Sequence, residues 1–249
     1  MVKGLESFIE QFREFPNCYT VIGGAACDIL MTEAGLDFRA TKDIDMILVL
    51  EGDFPGFGHK FWEYIKKGGY RCGWKSSELV HFYRFTEPQR PDFPVQIELF
   101  SRNPGYQLEI PQGIIPIHID DETSSLSAIL LDDNYYGLMM QGRKPVEGVT
   151  VLGAEYLIPF KMYAWLDLRR RKEAGEQVDS RNLRKHKLDV FRLLQIVSQS
   201  VKIAVGDVIQ ADIAEFLKRM EEENLNLEQI GVPMSKEEAL EQLRRMYLS

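Results

Sequence analysis

The sequence of 249 residues predicts an α+β fold, in which a mixed β-sheet with flanking helices is followed by an all-helical C-terminal part. Two observations predict this class. Before residue 150, short runs rich in β-branched and aromatic residues are separated by turns that contain glycine or proline. After residue 150, apolar residues recur at helical spacing. We therefore predict two domains, residues 1–150 and residues 151–249.

Helices and strands alternate in the first predicted domain. Apolar residues at helical spacing predict a helix over residues 1–15. A short strand, "CYTVIGG", is followed by a helix, "AACDILMTEAG", which Gly35 ends, and then by a strand, "KDIDMILVL". A Pro/Gly loop and a short helix follow in "DFPGFGHKFWEYIKKGGY". A Pro-rich turn joins the strands "ELVHFYRFT" and "FPVQIELFS", and "SLSAILLDDNYYGLMMQGR" predicts two strands around Asp132.

Four helices are predicted in the second domain. They are "AEYLIPFKMYAWLDLRRRKEAG", "NLRKHKLDVFRLLQIVSQS", "VIQADIAEFLKRMEEEN" and "SKEEALEQLRRMYLS". Ser235, with Glu238 three residues later, has the spacing of a capping box at the start of the last helix.

Composition narrows the classes of protein to consider. No apolar run reaches the roughly 18 residues of a membrane-spanning helix, so we expect no membrane association. An odd count of three cysteines without metal-binding spacing favours a reduced, cytoplasmic setting. A net charge of −8 argues against a protein that coats nucleic acid in bulk. However, residues 169–187 hold eight Lys or Arg and three acids, which predicts either a local polyanion site or a solvated helical face.

The strand "KDIDMILVL" carries two acids within an apolar run. Side chains two apart on a strand share a face, so Asp43 and Asp45 project together while Ile44 and Met46 point to the other side. Adjacent carboxylates repel each other, and a hard divalent cation such as Mg²⁺ or Mn²⁺ removes the conflict. Glu98 lies between two apolar residues of a later strand and is the third predicted metal ligand. Three such acids suit a site that binds an NTP through its metal-coordinated phosphates.

Two glycines precede this strand and end the first one. Gly23 and Gly24 form a strand–turn–helix junction in "IGGAACDI". Backbone N–H groups at such a turn, with a helix N-terminus behind them, form an anion cradle, and glycine allows a phosphate to approach closely. We therefore predict that Gly23 and Gly24 bind the nucleotide.

Two ionisable residues stand among apolar neighbours in the predicted helices. Lys161 lies among apolar residues of "LIPFKMYAWL", where it either extends to the surface or binds a phosphate. Asp189 lies beside Leu188 and Val190, and it either pairs with a base such as Lys161 or Arg192 or orients a substrate.

These stretches together resemble the nucleotidyltransferase superfamily, whose hallmark is Gly-Gly or Gly-Ser, a helix and then Asp-x-Asp. More narrowly, the form "RATKDID" and a lysine-bearing helix followed by "KHKLD" are similar to the AbiEii/AbiGii-type nucleotidyltransferase toxin family, which is related to the MenT toxins. The resemblance implies that Arg39, Thr41 and Lys42 bind nucleotide. It also implies that Lys161 contacts phosphate, that Asp189 completes the catalytic set, and that the helical part closes the active-site cleft.

The resemblance further implies transfer of a nucleoside monophosphate from an NTP to an acceptor hydroxyl, with the 3′ end of tRNA as one acceptor and an antitoxin protein as a partner. Two other functions stay open. One is a nucleotide- or RNA-binding protein on the same fold with little turnover. The other is nucleotidyl transfer to a small molecule such as an aminoglycoside, because the chain outside residues 169–187 is acidic.

Overall fold

The computed structural model describes residues 2–49, 54–76, 81–101 and 132–248. The chain divides into two compact units. The first lies within Met1–Leu131 and Arg143–Leu152, and the second lies within Asp132–Gly142 and Gly153–Ser249. Within the described ranges, no helix has the length and apolar character that a membrane span requires.

The first unit is built on one mixed sheet. Its helices are α1 (Leu5–Phe12), α2 (Gly23–Glu33) and α3 (Phe54–Gly68). Its strands are β1 (Tyr19–Ile22), β2 (Asp43–Leu48), β3 (Arg71–Ser76), β4 (His81–Thr86), β5 (Gln96–Ser101), β6 (Arg143–Val146) and β7 (Val149–Leu152). The strands are ordered β3-β4-β5-β2-β1-β7-β6. The β2–β5 and β1–β7 pairs are parallel and the others are antiparallel, which confirms the predicted α+β class.

An aromatic cluster covers one face of this sheet. Phe8 and Phe12 of α1 contact the ring of Tyr19 on β1, with ring centroids 5.5 and 6.5 Å away. Phe57 of α3 lies 5.9 Å from the same ring. Buried aromatic rings contribute large apolar areas, so this cluster fixes the two helices on the sheet. All four rings are fully buried.

The second unit is helical. It contains α4 (Asp133–Gln141), α5 (Ala154–Glu173), α6 (Ser180–Leu194), α7 (Asp207–Glu222), a 3₁₀ helix (Glu228–Ile230) and α8 (Lys236–Tyr247). The four helices predicted after residue 150 are confirmed as α5 to α8. The predicted capping box is also present, because Ser235 Oγ accepts from the Glu238 N–H and the Glu238 carboxylate accepts from the Ser235 N–H.

The prediction of two strands around Asp132 is wrong for the part of that segment that the structure describes. Asp132 is the N-cap of α4, and its carboxylate accepts hydrogen bonds from the N–H groups of Asn134 and Tyr135 at 2.7 and 3.4 Å. Asp and Asn favour both turns and helix caps, and the sequence signal alone did not distinguish the two. Residues 125–131 of the predicted segment lie outside the described residues.

Three strands were not predicted. They are β3 and the β6–β7 hairpin, whose two-residue turn is Glu147-Gly148. Both turn residues have positive φ, 48° and 87°, as a type I′ turn requires. The turn signal was present in "PVEGVTVL", but its flanking runs are only four residues long.

Candidate active site

The predicted acids of the sheet lie on neighbouring strands in register. Strands β2 and β5 are parallel, and Asp45 pairs with Glu98 while Asp43 pairs with Gln96. Along β2 the burial alternates, since Asp43 and Asp45 are half-buried and Ile44 is fully buried. The register therefore brings Asp45 and Glu98 side by side on the face opposite Ile44.

Glu98 is held by two donors on one carboxylate oxygen. Its strand neighbour on β4 is Arg84, whose Nε donates to Glu98 Oε1 at 2.8 Å. Gln96 Nε2 donates to the same oxygen, also at 2.8 Å. The Glu98 side chain is only 10% exposed. These contacts orient one carboxylate edge toward Arg84 and Gln96.

The pKa of Glu98 depends on the burial of its side chain and on the neighbouring Asp45 carboxylate. Desolvation is the larger cause and the Asp45 carboxylate is the second, and together they raise the pKa of Glu98 to about 8. The Arg84 guanidinium opposes both effects but does not cancel them. Two acids at such close range in a poorly solvated place favour either a shared proton or a bound cation.

Gly23 closes the other side of the Asp45 carboxylate. Ile22 is the strand partner of Asp45 on β1, and α2 begins at the next residue, Gly23, which has φ 68°. A Cβ built on Gly23 would lie 2.0 Å from Asp45 Oδ2. No other residue fits here without displacing the carboxylate, and few residues adopt this φ. The first turn of α2, with its positive dipole end, therefore lies against the acids.

The segment before β2 folds back over Gly24. A Cβ on Gly24 would lie 2.7 Å from Thr41 Oγ1 and 3.5 Å from Arg39 Nη2. The Arg39 guanidinium also lies over the ring of Phe38, 5.0 Å from its centroid. Lys42 is exposed. The structure thus brings Arg39 and Thr41 to the start of α2, where the glycines and Asp45 meet.

The residues partly fit a divalent cation. Among the described residues, no group of three or more His, Cys, Asp or Glu side chains is arranged to hold a metal ion. Mg²⁺, however, is commonly bound by one or two carboxylates, with water and substrate phosphates as its other ligands. The Asp45–Glu98 pair fits that smaller requirement. Asp43 lies two residues earlier on the same strand and stays a predicted ligand.

Lys161 and Asp189 lie in the second unit and contact each other. Lys161 Nζ donates to Asp189 Oδ2 at 3.1 Å, and the side chains are 4% and 0% exposed. Arg192 Nη1 lies 3.4 Å from the other Asp189 oxygen. Two cations thus face one buried carboxylate, which is the ion pairing that the sequence offered as one of two interpretations. Truncating one partner of such a buried pair leaves the other charge without its partner, at a cost of several kcal/mol.

Arg84 and Gln96 are the site residues that the sequence analysis missed. The available signal was the pairing of "HFYRFT" with "FPVQIELFS" across their Pro-rich turn. An arginine between Tyr83 and Phe85 shares a sheet face with the glutamate opposite it.

Comparisons with known proteins give the following results. No protein-family model matches the chain, and no curated protein matches it. Among solved structures, one similar chain is an antigenic nucleotidyltransferase-like protein from Paracoccidioides brasiliensis, at 14% identity over 95% of this chain and 89% of that chain, with a TM-score of 0.46. Another is the antibiotic-resistance factor ANT(2'')-Ia, at 13% identity over 88% of this chain and 92% of that chain, with a TM-score of 0.38. Neither likeness bears on what this chain binds, and the AbiEii/AbiGii-type family stays a prediction.

Proposed function

We propose that this chain is a metal-dependent nucleotidyltransferase. The observation that carries the proposal is the juxtaposition of Asp45 and Glu98 on adjacent strands, directly against Gly23 at the start of α2. Two acids that repel each other suit a cation, and a glycine-bounded helix start suits phosphate oxygens. An NTP that carries a divalent cation supplies both of these ligands.

In the proposed reaction, an acceptor hydroxyl oxygen forms a bond to the α-phosphorus of the NTP. The bond from that phosphorus to the bridging oxygen of the β-phosphate breaks, and pyrophosphate leaves. Mg²⁺ or Mn²⁺ would neutralise the negative charge of the phosphates in the transition state. The hydroxyl proton passes to a carboxylate or to solvent.

The position of each candidate site residue in the first unit suggests its role in this reaction. Asp45 and Glu98, with Asp43 beside them, would hold the cation, while Arg84 and Gln96 keep the Glu98 carboxylate oriented. Backbone N–H groups at Gly23 and Gly24 would contact the triphosphate, because any side chain at either position would collide with Asp45 or Thr41. Arg39, Thr41 and Lys42 would contact the nucleotide.

The finer assignments rest on the sequence resemblance. These are the roles of Lys161 in phosphate contact and of Asp189 in completing the catalytic set, the tRNA 3′ end as acceptor, and an antitoxin partner.

The proposal is tested by incubating the protein with each α-labelled NTP, Mg²⁺ and total cellular RNA. The comparison is with the double variant Asp43→Ala/Asp45→Ala and with Glu10→Ala, which removes an exposed carboxylate of α1. We expect label in RNA with the wild type and with Glu10→Ala, and its loss with the double variant and with EDTA. Equal labelling by the wild type and the double variant would show that the acids take no part. A parallel reaction with aminoglycosides in place of RNA tests the small-molecule acceptor.

A further inference from the structure

A basic cavity of about 390 Å³ lies within the second unit. Helices α5 and α6 each contribute residues spaced i, i+4 and i+7, which fall on one face of a helix. On α5 these are Trp165, Arg169 and Lys172, and on α6 they are Ser180, Arg184 and Lys187. The segment 223–230, which follows α7, forms the remaining wall.

Positive charge exceeds negative charge in this cavity. Its lining includes four Lys or Arg side chains and one acid, Glu223. Glu223 lies 3.9 Å from Arg169 Nη1 and contacts Lys187 Nζ. Lys172 and Arg184 are exposed, and neither forms an ion pair with any described residue. Like charges gathered around a concave surface attract anions.

Most of the other cations of the segment 169–187 are neutralised by acids of this unit. Arg170 contacts Asp212 and Glu215, with Nη2 3.4 and 2.5 Å from their oxygens. Arg171 contacts Glu176 at 2.7 Å, and Arg181 contacts Asp179 at 3.1 Å. The charge run is therefore a solvated, internally paired face over much of its length. Its unbalanced charge is concentrated at the cavity.

Neutral donors complete the lining. Asn224, Asn226 and Gln229 come from the 223–230 segment. Asn226 Oδ1 accepts from the backbone N–H of Gln229, which fixes this amide in the wall. Amide donors together with Arg and Lys are the groups that bind phosphate oxygens.

We propose that this cavity is a binding site for a phosphate-bearing ligand, with Lys172 and Arg184 as its principal anion contacts. The ligand is either a free polyphosphate or nucleotide, or the backbone of a nucleic acid. The site does not depend on the proposed transferase activity, because it is formed by the second unit alone.

The test is isothermal titration calorimetry at low salt in EDTA, which removes the cation needed by the acids of the first unit. One set of titrations uses tripolyphosphate and another uses a short single-stranded RNA. The variants are Lys172→Glu/Arg184→Glu and Glu223→Gln. The matched control is Arg181→Glu/Lys218→Glu, which makes the same change in net charge at two positions outside the cavity lining.

We expect the cavity double variant to weaken binding by about tenfold or more, and the control double variant by less than about threefold. Glu223→Gln should tighten binding several-fold, because it removes the one acid of the lining and frees Lys187 while it preserves the shape of the wall. Binding of tripolyphosphate identifies a free phosphate ligand, and binding of RNA alone identifies a nucleic acid backbone. Equal weakening by the two double variants, or no binding of either probe by the wild type, would overturn the proposal.

Discussion

Replacing Gly23 by alanine tests the geometry on which the candidate site depends. Gly23 has φ 68°, and an added Cβ would lie 2.0 Å from Asp45 Oδ2. A left-handed φ costs a non-glycine residue about 1 kcal/mol. Displacing the half-buried Asp45 side chain adds about 1–3 kcal/mol. We therefore expect Gly23→Ala to destabilise the first unit by about 2–4 kcal/mol.

Gly35 provides the matched control. Its φ is 73°, and nothing lies within 4 Å of a Cβ added there. Gly35→Ala therefore carries the backbone strain without the collision and should cost about 1 kcal/mol. The difference between the two variants isolates the approach of Asp45 to the start of α2.

Scanning calorimetry measures both variants, and Asp45→Ala completes a double-mutant cycle with Gly23→Ala. Gly35→Ala should lower the Tm by roughly 2–4 °C, and Gly23→Ala by at least about twice as much. In the Asp45→Ala background, the cost of Gly23→Ala should fall toward that of Gly35→Ala, because the colliding oxygen is gone. Equal costs for the two glycine variants, or a cost at Gly23 that is unchanged without Asp45, would refute the proposed geometry.

Three further predictions concern the ionisation of Glu98, the hydrogen bond to the Glu155 carbonyl of α5 and the reactivity of the cysteine thiols. The pKa of Glu98 is raised from 4.5 to about 8. Between these pH values the folded state therefore binds more protons than the unfolded state. The free energy of unfolding should fall as pH rises from 4.5 to 8. Urea titrations across this range should show a flatter dependence for Glu98→Gln, and an unchanged dependence would contradict the assignment. Tyr247→Phe should lower the free energy of unfolding by about 1–3 kcal/mol in the same assay. The Tyr247 hydroxyl donates at 2.6 Å to the Glu155 carbonyl, which lacks its usual donor within α5 because Pro159 has no N–H. A cost near zero would show that another donor reaches this carbonyl. All three cysteines are buried, and burial raises the pKa of Cys72 to about 12. Ellman's reagent should therefore react only slowly with the native protein, and it should titrate three thiols once the protein is unfolded. Rapid reaction of Cys72 in the native state would show that β3 opens readily.

Local periodicity predicted much of the fold, because it depends only on neighbours in sequence. The shared face of Asp43 and Asp45 follows from the two-residue repeat of a strand, and the alternating burial of β2 agrees with it. The capping box of Ser235 likewise involves residues three apart. The same local reasoning failed at Asp132, since one short polar cluster suits both a turn and a helix cap.

The contacts that define the site depend on strand register, which the sequence leaves open. The pairing of Asp45 with Glu98 joins strands that are not consecutive in sequence, with α3, β3 and β4 between them. Arg84 reaches Glu98 only because β4 lies on the other side of β5. A slip of one residue in either pair would send these side chains to opposite faces, so composition and spacing alone cannot identify Arg84.

Charge compensation separates the places that need a ligand from those that do not. In the second unit, Asp189 is fully buried and has Lys161 and Arg192 within 3.1 and 3.4 Å, so this carboxylate is already paired with cations of the chain itself. At the Asp45–Glu98 pair the adjacent charges have the same sign, and one guanidinium leaves the pKa of Glu98 raised. The cavity of Lys172 and Arg184 has the opposite excess. Burial makes the like charges of Asp45 and Glu98 costly, and a bound cation removes that cost. In the basic cavity Lys172 and Arg184 are exposed, and a bound anion gains instead from the attraction of several cations around one concave surface. Loss of activity after substitution of Lys161 would therefore report first on the folding of the second unit, whereas substitutions at Asp45 or Lys172 report on ligands.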